Sequence, residues 1–142
     1  MPRRLELIVV CLALCFAQTG CHSDPTRLEA FATRWRALFN AHDVAGLTKL
    51  YADHGAFSTP GMVYFVRSPT EMQGVLKGLW DAAPDMRISA VHYLVAANDQ
   101  IAFVWEITRT PPMGTAPSKA FGATFMTVKD GVIQEQLNVT AR

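Results

Sequence analysis

Apolar positions along this chain change period once, and that change divides it into two halves. Leu28, Phe31, Trp35, Leu38 and Phe39 recur at helical spacing and form one wide stripe. Thr26 and Glu29 fit a capping box at its start, with Pro25 just ahead. A second helix is predicted from the N-cap Asp43, with Val44, Leu47, Leu50 and Tyr51 on its apolar face and Gly55 as its stop. The third has the clearest start, because Ser68, Pro69 and Glu71 combine an N-cap, a first-turn proline and a capping box. Met72, Val75, Leu76, Leu79 and Trp80 form its buried face, and Pro84 ends it. Between the last two helices, residues 56–58 and 62–66 suit a small hairpin turning at Thr59, Pro60 and Gly61.

Beyond Pro84 the pattern becomes that of strands. Residues 86–97 and 100–110 are predicted to pair across Asn98-Asp99, and residues 119–129 and 132–140 across Asp130-Gly131. A loop with three prolines and a glycine, residues 111–118, separates the two hairpins. Three helices followed by a four-stranded antiparallel sheet is an α+β layout.

Composition adds an address. The 142 residues allow one domain, and the half that is hydrophobic makes it globular. Arg3 and Arg4, the apolar run from Leu7 to Ala17, and Gln18-Thr19-Gly20-Cys21 describe a secretory signal. The run is shorter than the ~20 apolar residues a spanning helix needs. The expected division is therefore a signal over 1–20, a short linker over 21–25 and a domain over 26–142. All three cysteines, Cys11, Cys15 and Cys21, lie in or at the end of the signal, so the domain has no disulfide framework. Of 13 basic and 12 acidic residues, loss of Arg3, Arg4 and Glu6 leaves eleven of each. A neutral domain has no bulk electrostatic reason to bind nucleic acid or anionic lipid.

Thr19-Gly20-Cys21 resembles the end of a bacterial lipobox, although Gln18 stands where leucine is usual. That resemblance implies export to a bacterial cell envelope and a lipid anchor on Cys21, which would be the only membrane attachment. Ordinary signal cleavage and an uncleaved anchor are the alternatives.

The order of elements, with Asn40-Ala41-His42-Asp43, Leu50-Tyr51-Ala52-Asp53, Phe57, Pro60, Pro84-Asp85-Met86-Arg87, Val104-Trp105-Glu106 and Asp130-Gly131-Val132-Ile133, resembles the nuclear transport factor 2-like superfamily in its SnoaL-like branch. The resemblance implies a cone: helices packed on a curved, mainly antiparallel sheet, with a pocket at the wide end. The superfamily includes isomerases, cyclases, hydrolases, dehydratases and noncatalytic binders, so the fold does not choose a reaction. Ketosteroid isomerases carry a base immediately before the proline of the YADHGAFSTPG-like motif, and that position is Thr59. Their oxyanion donors fall on Trp35 and about Ala123. SnoaL-like cyclases place His and Asp on the last strand, where this chain has Gln136 and Asn138. An amide hydrogen-bonds but does not titrate usefully near neutral pH.

The expected cavity is therefore apolar with a few fixed polar contacts. A strict two-residue turn at Asp130-Gly131 pairs Phe125 with Gln136 and Ala123 with Asn138 on one face. Trp35, Phe39, Tyr51, Tyr64, Trp80, Trp105, Phe125, Gln136 and Asn138 are the candidate ligand contacts, while most of these aromatics also suit a core. The acid–base candidates are His92, set opposite Trp105 by a strict turn at Asn98-Asp99, and Asp53 with His54. Asp53-His54 equally fits a helix end, and Glu106 a partly buried structural acid. No cofactor or metal is implied: there is no phosphate loop or nucleophile elbow, and the histidines are not spaced as ligands. The expected partners are a small apolar molecule or a protein. Val91, Tyr93, Val95, Ala102 and Val104 form a candidate homodimer patch, and the relatives implied by the resemblance commonly pair through the outer sheet face.

Overall fold

A computed structural model describes residues 24–60, 65–111, 113–114 and 116–141. The signal, Cys21, the turn residue Gly61 and Tyr64 lie outside the described residues. Helix α1 is Pro25–Asn40, α2 is Val44–Thr48, strand β1 is Tyr51–Ala56 and α3 is Pro69–Ala82. Strands β2 (Arg87–Ala97), β3 (Gln100–Arg109), β4 (Ser118–Lys129) and β5 (Val132–Thr140) follow. They form one five-stranded sheet in the order β1-β5-β4-β3-β2, with β1 parallel to β5 and the other neighbours antiparallel.

One helix start differs from expectation, and another differs only in its second bond. Asp24 caps α1 by accepting from the Thr26 N–H at 3.0 Å, so Thr26 lies inside the helix and the Thr26–Glu29 box does not form. The α3 start is as expected at Ser68, which accepts from the Glu71 N–H, while Glu71 reaches back to the Arg67 N–H instead of Ser68.

The larger correction concerns α2. Asp43 caps it through the Gly46 N–H at 2.8 Å, but the helix lasts five residues. Tyr51–Ala56 is a strand, not the second half of a helix, and Asp53-His54 is not a helix end. Leu50 and Tyr51 fit helical spacing, yet Asp53, His54 and Gly55 are weak helix formers. Pairing wins: the Ile133 N–H donates to the Leu50 carbonyl at 2.6 Å, and β1 runs on beside β5. Among the described residues, the predicted hairpin is represented by an antiparallel bridge between Phe57 and Val66.

Asn40 and His42 explain how the helices meet the sheet. The Asn40 side chain imitates a neighbouring strand, accepting from the Ile88 N–H at 2.8 Å and donating to the Ile88 carbonyl at 3.0 Å. His42, held at φ 54°, places Nε2 2.8 Å from the Met86 carbonyl and stacks on Trp80. A carbonyl only accepts, so Nε2 carries the proton there. Asn40-Ala41-His42-Asp43 is thus used in docking α1 onto β2 and starting α2.

Both tight turns take left-handed backbone, at Asn98 and Asp99 and at Asp130 and Gly131, as the twist of a two-residue hairpin requires. The strands between them are not strictly paired. β2 carries extra residues at Ser89 and His92, and β5 carries one at Gln134, where the pairing passes from Val128–Ile133 to Thr127–Glu135. Such bulges bend a sheet and exchange its faces.

Candidate functional site

The interior between helices and sheet is lined by Ile101, Phe103, Trp105 and Ile107 of β3, Thr124 and Met126 of β4, and Gln136 and Asn138 of β5, all buried. Tyr51 of β1 is buried beside them, and Trp35, Phe39 and Trp80 close the interior from the helices. Trp35 and Phe39 stack at 5.5 Å, Phe39 meets the edge of Trp80 at 5.4 Å, and Tyr51 meets Phe57 at 5.0 Å. Seven of the nine predicted contacts therefore share one interior.

Phe125 does not belong to it. The Gln134 bulge shifts the register, so Gln136 pairs with Met126 and Asn138 with Thr124. Phe125 pairs with Leu137 and Ala123 with Val139, both on the outer face, and Phe125 is 48% exposed. The inward placement of the two amides holds, with Gln136 at 1% and Asn138 at 8% exposure.

Two hydrogen-bonded chains organise these amides. In the first, Trp105 Nε1 donates to Thr124 Oγ1 at 2.8 Å and Thr124 donates to Asn138 Oδ1. Asn138 Nδ2 then donates to the Ser58 carbonyl at 2.6 Å, and its backbone N–H donates to Ser58 Oγ at 2.9 Å. In the second, Trp35 Nε1 donates to Tyr51 Oη at 3.0 Å and Tyr51 donates to Gln136 Oε1 at 2.8 Å. An indole only donates, so each hydroxyl accepts from it and passes its own hydrogen to the amide oxygen. The Asn138 chain closes on Ser58. The Gln136 chain stays open, because Nε2 is buried without a partner, as is Trp80 Nε1.

None of these groups is poised to move a proton. Burial pushes the Tyr51 phenol well above its ordinary value, despite the opposing bonds with Trp35 and Gln136, so it remains a donor. The acid–base candidates are elsewhere. Asp53 and His54 are exposed on β1. His92 is the unpaired residue of a bulge, so Val91 and not His92 stands opposite Trp105. It is exposed and lies 6.1 Å from the Phe121 ring. Glu106 is committed on the outer face: Lys119 Nζ lies 3.0 Å from its carboxylate and Ser89 donates to it at 2.8 Å, which together hold it below the usual carboxylate range. No three His, Cys, Asp or Glu side chains gather as metal ligands among the described residues.

The interior opens at the end of β3 and β5. A hollow of ≈ 80 Å³ is lined by Pro60, Met86, Trp105, Ile107, Arg109, Ala120 and Thr140. Ala120 of β4 adds only a methyl group to its lining, and Gly122 of β4 makes room for the Trp105 ring. A Cβ on Gly122 would stand 2.3 Å from the Trp105 ring and from the Val139 carbonyl, so the indole lies directly on the β4 backbone. Ser58, Thr124 and Gly122 hold these side chains in place and are not evident from the sequence pattern, where Ser58-Thr59 beside the recognisable Pro60 is the available signal.

The outer face contrasts with this. Phe65, Val95, Val104, Phe121, Phe125, Leu137 and Val139 are all exposed. A groove of ≈ 370 Å³ crosses it between Phe65, Ala102, Phe125 and Leu137. Of the predicted dimer patch, Val95, Ala102 and Val104 belong here, while Val91 is turned inward and packs against the core.

The sequence profile of the SnoaL-like domain matches residues 32–136. Solved structures share the fold. AclR of Streptomyces galilaeus, a proposed hydroxylase, superposes with TM-score 0.69 at 20% identity, over 83% of this chain and 91% of that one. A proposed polyketide cyclase of Xanthomonas campestris pv. campestris gives TM-score 0.72 at 14% identity, over 82% and 91%. A Catenulispora acidiphila protein with a ketosteroid isomerase-like fold, solved with trimethylamine, gives 0.69 at 13% identity, over 77% and 83%. No curated protein matches the chain. With the profile spanning most of its length and the cone-type fold shared by these structures, the protein belongs to the SnoaL-like domain family.

Proposed function

We propose that this protein is an exported, envelope-associated SnoaL-like domain that holds a small, largely apolar molecule in its interior without an acid–base pair. One observation carries the reading: the two buried polar positions of β5 are amides tied into indole–hydroxyl chains, while His92, Asp53 and His54 are exposed. The open donor at Gln136 suits an oxygen on an otherwise apolar ligand, since a buried N–H without an acceptor costs about 1–3 kcal/mol. The envelope assignment rests on the signal pattern and Cys21.

Cyclase or hydroxylase chemistry, as named for the relatives, would need a titratable group at the ligand. A reaction screen with His92→Ala and Asp53→Asn as controls tests that alternative, and turnover abolished by either substitution would replace the binding reading. Homodimerisation through the outer face is a companion proposal, supported by its exposed apolar rows. Light scattering of the mature protein reports it.

The direct test is native mass spectrometry of the protein recovered from its own cell envelope. A bound small molecule released on activation is expected. Repeated recovery of an empty protein, with an interior insensitive to apolar compounds, would contradict the proposal.

A further inference from the structure

The hollow at the open end of the interior has an uneven chemistry. Its floor is apolar: Met86, Trp105 and Ile107 are buried, and Ala120 adds only a methyl group. Arg109 is the single charged residue lining it. Among the described residues its guanidinium has no hydrogen bond or ion pair.

The neighbouring charges are already engaged. Asp85 accepts from the Thr110 N–H and hydroxyl, bonds that hold it below its ordinary value, and it is further favoured by Arg87. Glu106 is paired with Lys119. Neither acid lines the hollow. An always-charged planar donor set at the rim of an apolar hollow, with Thr140 beside it, matches one ligand class best. A neutral hydrocarbon would leave Arg109 unused, and a polyanion would find one cation and an apolar floor.

We infer that the interior selects an apolar acid: the hydrocarbon body rests on Met86, Trp105 and Ile107, and the carboxylate pairs with Arg109. This deepens the proposed binding of a largely apolar ligand and rests on it. No bond is made or broken. A rim charge pair exposed to water contributes modestly, so preference, not tight affinity, is the expected signature.

The test uses ¹⁵N-labelled protein produced from its full coding sequence and two probes that differ only at one end, 3-phenylpropanoate and 3-phenylpropan-1-ol. Binding is read from the indole N–H signal of Trp105, assigned by Trp105→Phe. The acid should bind about fivefold more tightly than the alcohol at low salt, and the preference should shrink as salt rises. Arg109→Gln should remove the preference by lowering the affinity for the acid to about that for the alcohol. Arg109→Lys should retain most of it. Equal affinities for the two probes, or a preference that survives Arg109→Gln, would overturn the inference and leave apolar binding standing. Failure of both probes to move Trp105 would overturn both.

Discussion

Asn138 and Gln136 sit two residues apart on the same face of β5, and each belongs to a chain that begins at an indole. The Asn138 chain runs Trp105–Thr124–Asn138–Ser58 and uses both ends of the amide. The Gln136 chain runs Trp35–Tyr51–Gln136 and leaves two N–H groups without an acceptor. The closed chain explains itself as structure, because it joins β3, β4, β5 and the segment after β1. The open chain does not, since burying an unpartnered amide is unfavourable. The difference separates a closed structural network from one with spare donors.

The strongest way to break the closed chain is to push Trp105 off β4. Gly122→Val would drive a side chain into the indole and the Val139 carbonyl, and we expect about 3 kcal/mol of lost stability or failure to fold. Denaturant unfolding followed by tryptophan fluorescence measures it. Asn138→Leu is next, at about 2 kcal/mol, because it strands the Thr124 hydroxyl and the Ser58 carbonyl. Gln136→Leu sharpens the comparison. It leaves Tyr51 without its acceptor but also removes the orphan N–H groups, so we expect about 1 kcal/mol. Equal losses for the two amides would erase the distinction.

The outer face supplies the controls. Leu137→Ser and Val139→Ser, on the same strand but facing outward, should change monomer stability by roughly 0.5 kcal/mol or less while weakening any self-association. The smallest effect is electrostatic. Glu106 is held below the usual carboxylate value when folded, so its contribution is present above the unfolded value of about 4.3 and is lost as pH falls through the lower folded value. Glu106→Gln should flatten the acid limb of the stability profile and leave the neutral region nearly unchanged.

The sequence carried the helix faces, the Asp43 and Ser68 caps, both left-handed turns and the family resemblance. Those depend on local chemistry that residue identity reports directly. It did not carry β1, because Leu50 and Tyr51 satisfy a helical period as well as a strand edge. Nor did it carry the bulges at Ser89, His92 and Gln134. A bulge leaves alternation intact on each side and changes only the phase, so strict counting from a correct turn put Phe125 and Ala123 inside in place of Met126 and Thr124. The same change of phase sets Val91, and not His92, opposite Trp105. Gln136 and Asn138 were placed on the correct face, but their unequal bonding needed Tyr51, Thr124 and Ser58, which lie far away in sequence.

The central claim is that the interior binds an apolar molecule through fixed donors and not through a titrating pair. The most direct test is titration with neutral 3-phenylpropan-1-ol at pH 5.5 and pH 8, following the Trp105 indole and the Gln136 side-chain amide by ¹H–¹⁵N correlation. Both signals should move with one affinity that is the same at the two pH values. An affinity that changes between them, or shifts confined to His92 and His54, would contradict it.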